Sequence, residues 1–250
     1  MGRSILASHG VDPARWGIGP DGAYSLNLSH LATTDILYTA DLPLDALDLR
    51  HTAITDLRPL TNQRRLHHLD VSGTSIRDLS PLKGLRLLRL DCQDCPLLDI
   101  ATLEGVSVQQ LYLCNSPVSD LASLKRTPLR VLYVDGTNVT NLEPVASCPV
   151  TDLSIADTGI QELGPVSRMP LKILFLQGSR VKDITPLRGK QLEVTEFTLD
   201  NINRGISVIR QMPSLRLINE VPAAEFWKTY DKDRGQGASA ARPHVSQADR

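Results

Sequence analysis

The sequence predicts an α/β solenoid, a fold in which short strand-and-turn units stack side by side around a shared core. Leucine fills 39 of the 250 positions while only 4 % of residues are aromatic, which suggests one core position that recurs along the chain. Seven segments also align at a nearly constant period, 22 residues once and 21 thereafter, beginning at Leu44, Leu66, Leu87, Val108, Leu129, Val150 and Leu171. Such a period indicates repeated units, each of which needs its neighbours to bury its apolar face.

Each part of the shared pattern, L-x-x-L-x-L-x-x-T-x-I-x-D-L-x-P-L, has a physical reason. The L-x-L alternation predicts a short strand with one face inward. The small residue after the strand, such as Thr52, can bond to backbone groups where the chain turns. The Asp that follows, such as Asp120, is placed to N-cap one helical turn, and the proline falls where its missing N–H costs nothing. Weaker copies pass through Leu26, Leu28 and Leu31 and, as an eighth repeat, through Val194, Phe197, Leu199 and Ile202.

This pattern is similar to that of the leucine-rich repeat family in its short bacterial form, with repeats of 21–22 residues. The resemblance covers residues 23–218 and implies an arc of about eight or nine repeats. It also implies a parallel β-sheet on the concave side and short helical or irregular turns on the convex side. The chain departs from the family at the turn position, where Thr, Ser or Cys replaces the usual Asn.

The ends of the chain need separate treatment because an open solenoid exposes its core and must be capped. In the N-terminal region Trp16 and Ile18 suggest a cover, and in the C-terminal region Phe226, Trp227 and Tyr230 could lie over the last repeat or dock a partner. Four regions are therefore expected: a loop-rich cover at 1–22, the solenoid at 23–218, a cap segment at 219–231 and a disordered tail at 232–250.

The C-terminal segment from Pro222 to Asp231 carries a second, weaker resemblance. It is similar to a segment that closes repeat arrays in some bacterial proteins, including ones fused to Ser/Thr kinases. That likeness implies one alternative function, a regulatory or sensor module of a larger signalling protein.

Charge and composition exclude several classes of function. The chain has 27 basic and 28 acidic residues, which argues against a nucleic-acid or polybasic membrane binder. It shows no secretory signal and no apolar run of membrane-spanning length, and its four cysteines fit a reducing compartment, so a cytoplasmic location is expected. No phosphate-binding loop, nucleophile elbow or zinc-protease motif occurs, so no enzyme activity, cofactor or metal is expected. The Cys92–Cys95 spacing resembles a metal motif, but the repeat register makes both residues small core residues.

Three rows of side chains point away from the leucine core, at positions three, five and seven of each repeat. One of these rows carries three of the ten aromatic residues of the chain. Exposed apolar surface tends to mark a binding site, although cross-strand stacking within the sheet would also explain it. The predicted binding patch consists of Tyr112, Val131, Tyr133, Ile173 and Phe175.

The N-terminal half of the same rows carries Asp48, Asp70 and Asp91 on neighbouring strands. Three like charges at this spacing repel each other, so one interpretation is a surface for a basic partner. The alternatives are a Ca²⁺ or Mg²⁺ site and a solvated row compensated by Arg50 and Arg89. A role in general base catalysis is disfavoured because an open sheet offers no cavity.

The function that the sequence favours is non-catalytic protein–protein recognition by a monomer, through the concave sheet. The aromatic patch would supply the anchors and the Asp row would steer the partner. The alternatives are the regulatory module and, in a different class, an enzyme with an Asp-based metal site.

Overall fold

Twelve strands form one continuous sheet in which spatial order follows chain order. The computed structural model describes residues 2–240, and the side chains of 2–232. The strands β2 to β11 run parallel, while β1 and β12 pair antiparallel at the two ends. Their bounds are β1 Trp16–Ile18, β2 Tyr24–Asn27, β3 Leu44–Asp48, β4 His68–Asp70, β5 Arg86–Asp91, β6 Ser107–Tyr112, β7 Val131–Tyr133, β8 Asp152–Ser154, β9 Ile173–Phe175, β10 Val194–Glu196, β11 Leu217–Ile218 and β12 Val221–Pro222.

Short helical turns connect consecutive strands on the other side of the core. Most are single 3-10 turns: Pro13–Arg15, Leu37–Thr39, Arg58–Leu60, Ser80–Leu82, Ala101–Leu103, Ala122–Leu124, Glu143–Val145, Gly164–Arg168, Thr185–Leu187 and Leu199–Asn201. The described α-helices are α1 Gly2–Ser8, α2 Ile206–Arg210 and α3 Ala223–Ala240. The solenoid predicted from the repeat is therefore the observed architecture.

The core is a stack of leucines held in register from strand to strand. Leu111, Leu132, Leu153 and Leu174 are direct partners on consecutive strands, and each is 0 % exposed. Because side chains alternate along a strand, residues on either side of each leucine point to the opposite face. We call that opposite side the open face of the sheet.

The repeated Asp satisfies a backbone donor one position earlier than predicted. The turn at Ala122–Leu124 has Leu121 as its N-cap, and Asp120 lies before it. The Asp120 carboxylate accepts the Ala122 N–H at 2.8 Å, and Asn141 accepts the Glu143 N–H at the same distance. These are Asx turns, in which the side chain bonds to the backbone two residues on and presets the turn.

The eighth repeat begins at Leu192, and the prediction of Val194 was wrong. The pairing of β9 with β10 places Thr195 in the inward row and Glu196 beside Phe175 in the outward row. The sequence pattern was misleading because threonine fills the inward position of leucine. Its buried hydroxyl donates to a backbone carbonyl of β9 at 2.9 Å, so the substitution leaves no unsatisfied polar group.

Both ends of the solenoid are covered by segments outside the repeats. At the N-terminus α1 buries Leu6 completely, and β1 extends the sheet with Trp16 6.0 Å from the Tyr24 ring. The loop-rich prediction for 1–22 did not anticipate this helix. At the C-terminus Phe226 packs edge-on against Phe197, with 6.1 Å between ring centroids.

Helix α3 passes the boundary at residue 231 that the sequence predicted for the cap segment, because it continues to Ala240. The first nine residues of the predicted tail, 232–240, belong to this helix, although two of them are glycine. The rest of that tail, 241–250, lies outside the described residues.

The Asx turns predict a difference between two substitutions at one site. Asp120→Ala should lower the free energy of unfolding by about 0.5–2 kcal/mol, the usual cost of losing such a backbone acceptor. Asp120→Asn should lose much less, because Asn141 makes the same bond in the next repeat. Chemical denaturation of the three proteins measures both, and equal midpoints for Ala and wild type would contradict the role of the carboxylate.

The register predicts opposite behaviour for two adjacent residues of β7. Leu132 is fully buried, so Leu132→Ala should cost about 2–5 kcal/mol of stability through lost burial and a cavity. Tyr133 lies on the open face, so Tyr133→Ala should cost less, about 0.5–1.5 kcal/mol for each aromatic ring pair that the substitution removes. Thermal and urea unfolding would compare them, and the reverse order would mean that the two faces are exchanged.

Candidate functional site

One outward row runs along the open face without a break in register. From β3 to β10 its members are direct strand partners in the order Asp48, Asp70, Asp91, Tyr112, Tyr133, Ser154, Phe175 and Glu196. The first three are the acidic residues and the next ones the aromatic residues that the sequence singled out. The row therefore changes from acidic to aromatic between β5 and β6.

The aromatic residues form a connected strip. The Tyr112 and Tyr133 rings meet edge to face with centroids 5.2 Å apart and planes at 73°. Tyr133 meets Phe175 in the same way at 6.3 Å and 72°, across the strand that carries Ser154. Ser154 is small and 1 % exposed, so the two rings make contact above it.

Two aliphatic side chains complete this patch. Val131 and Ile173 lie in the neighbouring outward row, two residues before Tyr133 and Phe175 on the same strands. All five residues of the predicted patch are partly exposed, and the structure brings them to one surface. We call Tyr112, Val131, Tyr133, Ile173 and Phe175 the aromatic patch.

The acidic row is partly compensated within the protein, by two arginines for three carboxylates. Arg50 bonds Asp48 at 2.7 Å and lies 3.3 Å from a carboxylate oxygen of Asp70. Arg89 donates to Asp91 at 2.6 Å, and Asp91 is only 1 % exposed. These ion pairs reduce the charge of the row, and partner binding by Asp48, Asp70 and Asp91 stays a prediction. Among the described residues, no group of three or more His, Cys, Asp or Glu could hold a metal ion.

The pKa values of two neighbours in this row shift in opposite directions. Burial alone would raise the pKa of Asp48, but the hydrogen bonds and charge of Arg50 outweigh it and hold the pKa below its usual range. Burial raises the pKa of Asp70, and the charges of Asp91 and Asp48 raise it further. One guanidinium therefore stabilises the first carboxylate more than the second.

Arg89 joins the acidic row to the aromatic patch. Its guanidinium carbon lies 4.5 Å from the centroid of the Tyr112 ring while its Nε donates to Asp91. An arginine held by a carboxylate and lying over an aromatic ring combines a charge-assisted hydrogen bond with a cation–π contact. Farther along the patch, burial and the charge of Asp152 raise the pKa of Tyr133 to about 12, so its phenol is neutral at physiological pH.

A cleft of about 400 Å³ lies at the N-terminal end of the open face. The segment around Trp16 forms one wall, and Asp48, Asp70 and Asp91 lie along the sheet on the other side. The sequence-based argument that an open sheet offers no cavity did not anticipate this open cleft. It failed because the wall comes from residues outside the repeats, whose position the repeat pattern does not predict.

Three carboxylates around the aromatic patch were not singled out from the sequence. Asp152 lies between Val131 and Ile173 in their row. Glu196 follows Phe175, and Asp135 lies on the loop after β7. A search of the outward rows for acidic residues without an arginine on the same or the next strand would have found them.

The Cys92–Cys95 motif does not form a metal site. All four cysteines of the chain are free and buried. Cys92 is buried in the core, which raises the pKa of its thiol well above the usual value. The Cys95 thiol donates to a backbone carbonyl of the preceding repeat at 3.1 Å, as the Ser116 hydroxyl does, whereas a threonine such as Thr137 donates within its own repeat.

The architecture is shared with solved structures of repeat proteins. Internalin C2 from Listeria monocytogenes is similar with a TM-score of 0.68 and 25 % identity, over 79 % of this chain and 92 % of that one. The internalin InlF from the same organism gives 0.67 and 21 %, over 87 % and 74 %. A plant peptide hormone receptor, RGFR1, in complex with RGF2, gives 0.58 and 15 %, over 82 % and 36 %.

No family model matches the sequence, and sequence comparison finds no similar curated protein. The repeat pattern, the parallel sheet and the similarity to internalins nevertheless agree. The chain has the leucine-rich repeat fold, with a repeat similar to the short bacterial type, and in this fold the open face is the concave face of the arc. Within the described part of the chain, no helix is long and apolar enough to cross a membrane.

The opposite pKa shifts predict opposite effects of two Asp→Asn substitutions. Asp48 has a lowered pKa, so its contribution to stability is present above about pH 4 and is lost as pH falls through the folded-state pKa. Asp70 has a raised pKa, so its contribution is present below about pH 4 and is lost as pH rises through the folded-state pKa. At pH 7 Asp48→Asn should therefore destabilise the protein and Asp70→Asn should stabilise it.

Urea unfolding of the two variants and of wild type at several pH values would measure this prediction. Both differences should shrink toward zero in acid, where the carboxyl groups are protonated in folded and unfolded states. Two shifts of the same sign at pH 7 would contradict the proposed role of Arg50.

Proposed function

We propose that this protein recognises a protein partner, without catalysis, through the concave face of its sheet. The observation that carries the proposal is the aromatic patch. Three of the ten aromatic residues lie in one outward row, partly exposed, although the leucine core on the other face already stabilises the fold. Tyrosine and other aromatic residues are enriched at positions that dominate binding energy.

The alternative explanation, stacking that only supports the sheet, accounts for part of the geometry. Edge-to-face pairs of this kind contribute about 0.5–1.5 kcal/mol each. The same interactions also fix the rings in place before a partner arrives, which reduces the entropy lost on binding. A preorganised surface on a rigid repeat scaffold therefore supports recognition as well as stability.

Charge supports a protein partner over a nucleic acid. The concave rows from β7 to β10 carry carboxylates, and within these described strands they carry neither lysine nor arginine. Phosphate groups would be repelled from such a surface, because nucleic-acid binding depends on neutralisation of phosphates by basic side chains. The solved plant receptor, a peptide hormone receptor in complex with RGF2, shows that this fold can bind a ligand.

The four free thiols support a cytoplasmic location in this proposal, because unpaired cysteines are typical of reducing compartments. A monomer is the state in which the whole concave face is available to a partner. The regulatory-module alternative differs only in where the effector is encoded, so the same face would act in both.

Affinity capture with three forms of the full chain would test the proposal. Tyr133→Ser should weaken binding of a captured protein by about 2 kcal/mol or more if the tyrosine is a central anchor. Leu98→Ser is the matched control, because Leu98 is 68 % exposed and lies outside the strands. Proteins retained by wild type and the control but absent from Tyr133→Ser would support the proposal. Identical sets on all three forms would contradict it.

A further inference from the structure

The two halves of the concave face differ in how their charges are balanced. In β3 to β5 each carboxylate of the row lies within an ion pair with Arg50 or Arg89. Around the aromatic patch, Asp135, Asp152 and Glu196 take part in none of the ion pairs found among the described residues. The concave face is therefore most negative where it is also most apolar.

Asp152 lies at the centre of this region. It takes the place between Val131 and Ile173 in an otherwise aliphatic part of the row. The Thr151 hydroxyl donates a hydrogen bond of 2.6 Å to one carboxylate oxygen of Asp152. Asp152 has aliphatic neighbours on both adjacent strands, and this position does not need a charge for folding because Val131 fills it one repeat earlier.

The other two carboxylates add to the negative potential. Glu196 lies beside Phe175, and burial and the charges of Glu220 and Asp135 raise its pKa. Burial also raises the pKa of Asp135, although it accepts hydrogen bonds from the Ser154 hydroxyl and the Ala156 N–H. A positive charge brought to this surface would relieve the repulsion among these groups.

The protein already contains one group in which a basic side chain lies between a carboxylate and a tyrosine ring. Arg89 donates to Asp91 and lies over the ring of Tyr112, one strand away from Tyr133. Asp152 and Tyr133 likewise lie on the open face of adjacent strands, and the charge of Asp152 contributes to the raised pKa of Tyr133. The basic side chain that would complete the group is not supplied by the outward rows of β7 to β10.

We propose that a partner protein supplies it: the concave face binds a segment that places a basic side chain on Asp152, with apolar side chains packed on Tyr133, Ile173 and Phe175. This inference rests on the proposed function and adds the chemistry of the ligand. Arginine suits the site better than lysine, because its planar guanidinium can bond a carboxylate and stack on a ring at once. Glu196 attracts a second basic group at the C-terminal end of the patch.

Selection of peptides from a displayed random library on the immobilised full chain would test this inference. The selected peptides should be enriched in arginine or lysine next to apolar residues, relative to the unselected library. One selected peptide, made with a fluorescent label, then serves as the probe for wild type and three variants. These are Asp152→Asn, Tyr133→Ser and, as a matched control that removes an exposed carboxylate outside the strands, Glu104→Gln.

Asp152→Asn should weaken binding of this peptide by about tenfold or more, the effect of losing a hydrogen bond between charged groups. Tyr133→Ser should weaken it as well, and Glu104→Gln should leave it unchanged. Raising the salt concentration should weaken binding to wild type more than binding to Asp152→Asn, because screening acts on the charge that the variant lacks.

The outcomes separate this inference from the proposed function. Peptides that depend on Tyr133 but show no basic enrichment, or bind Asp152→Asn as tightly as wild type, overturn the inference and leave concave-face recognition standing. Peptides that bind Tyr133→Ser as well as wild type, or failure to select any binding peptide, count against both.

Discussion

The in-register stacking of one inward leucine per strand is the constraint on which the rest of the structure depends. Because side chains alternate along a strand, alignment of the inward leucines also aligns the outward residues. Tyr112 and Tyr133 lie 21 positions apart in sequence, yet their rings are 5.2 Å apart. A functional surface on this scaffold is therefore composed one residue per repeat, and its order along the sheet is its order along the chain.

Most of the fold could be predicted from the sequence because every repeat has to meet the same physical requirements. The leucine alternation, the turn hydroxyl and the Asp before the helical turn each recur, so an error in one copy is corrected by the others. Prediction failed where a requirement was met by an unusual residue, as at Thr195, whose hydroxyl is satisfied inside the core. It also failed in detail at the N-terminus, because α1 and Trp16 lie outside the repeat.

A left-handed backbone turn after strands β2 to β9 was also missed from the sequence, because different residues fill it. Asp157 and Gly178 hold this position in consecutive repeats, with φ of 52° and 67°. Glycine adopts this conformation freely, while aspartate tolerates it through local hydrogen bonds. At Gly178 a Cβ would collide with the side chain of Asp157. At this pair the Asp157 side chain occupies the space that a side chain at Gly178 would need, a dependence that a consensus pattern does not show.

The strand register predicts one property of the candidate site and leaves another undetermined. Membership of the aromatic patch follows from counting residues along the repeats. The charge balance does not follow from the register, because it depends on how far each side chain extends. Arg50 forms ion pairs with both Asp48 and Asp70, whereas Asp152 takes part in none of the described ion pairs. The two halves of the concave face, each with three carboxylates, therefore have different electrostatic properties. In the first half two arginines of the protein compensate most of the charge, and in the second half the proposed partner supplies the opposite charge. Since the leucine core on the other face bears most of the stability, selection can alter the concave residues with little effect on folding, which is why a solenoid of this kind can be adapted to a particular ligand.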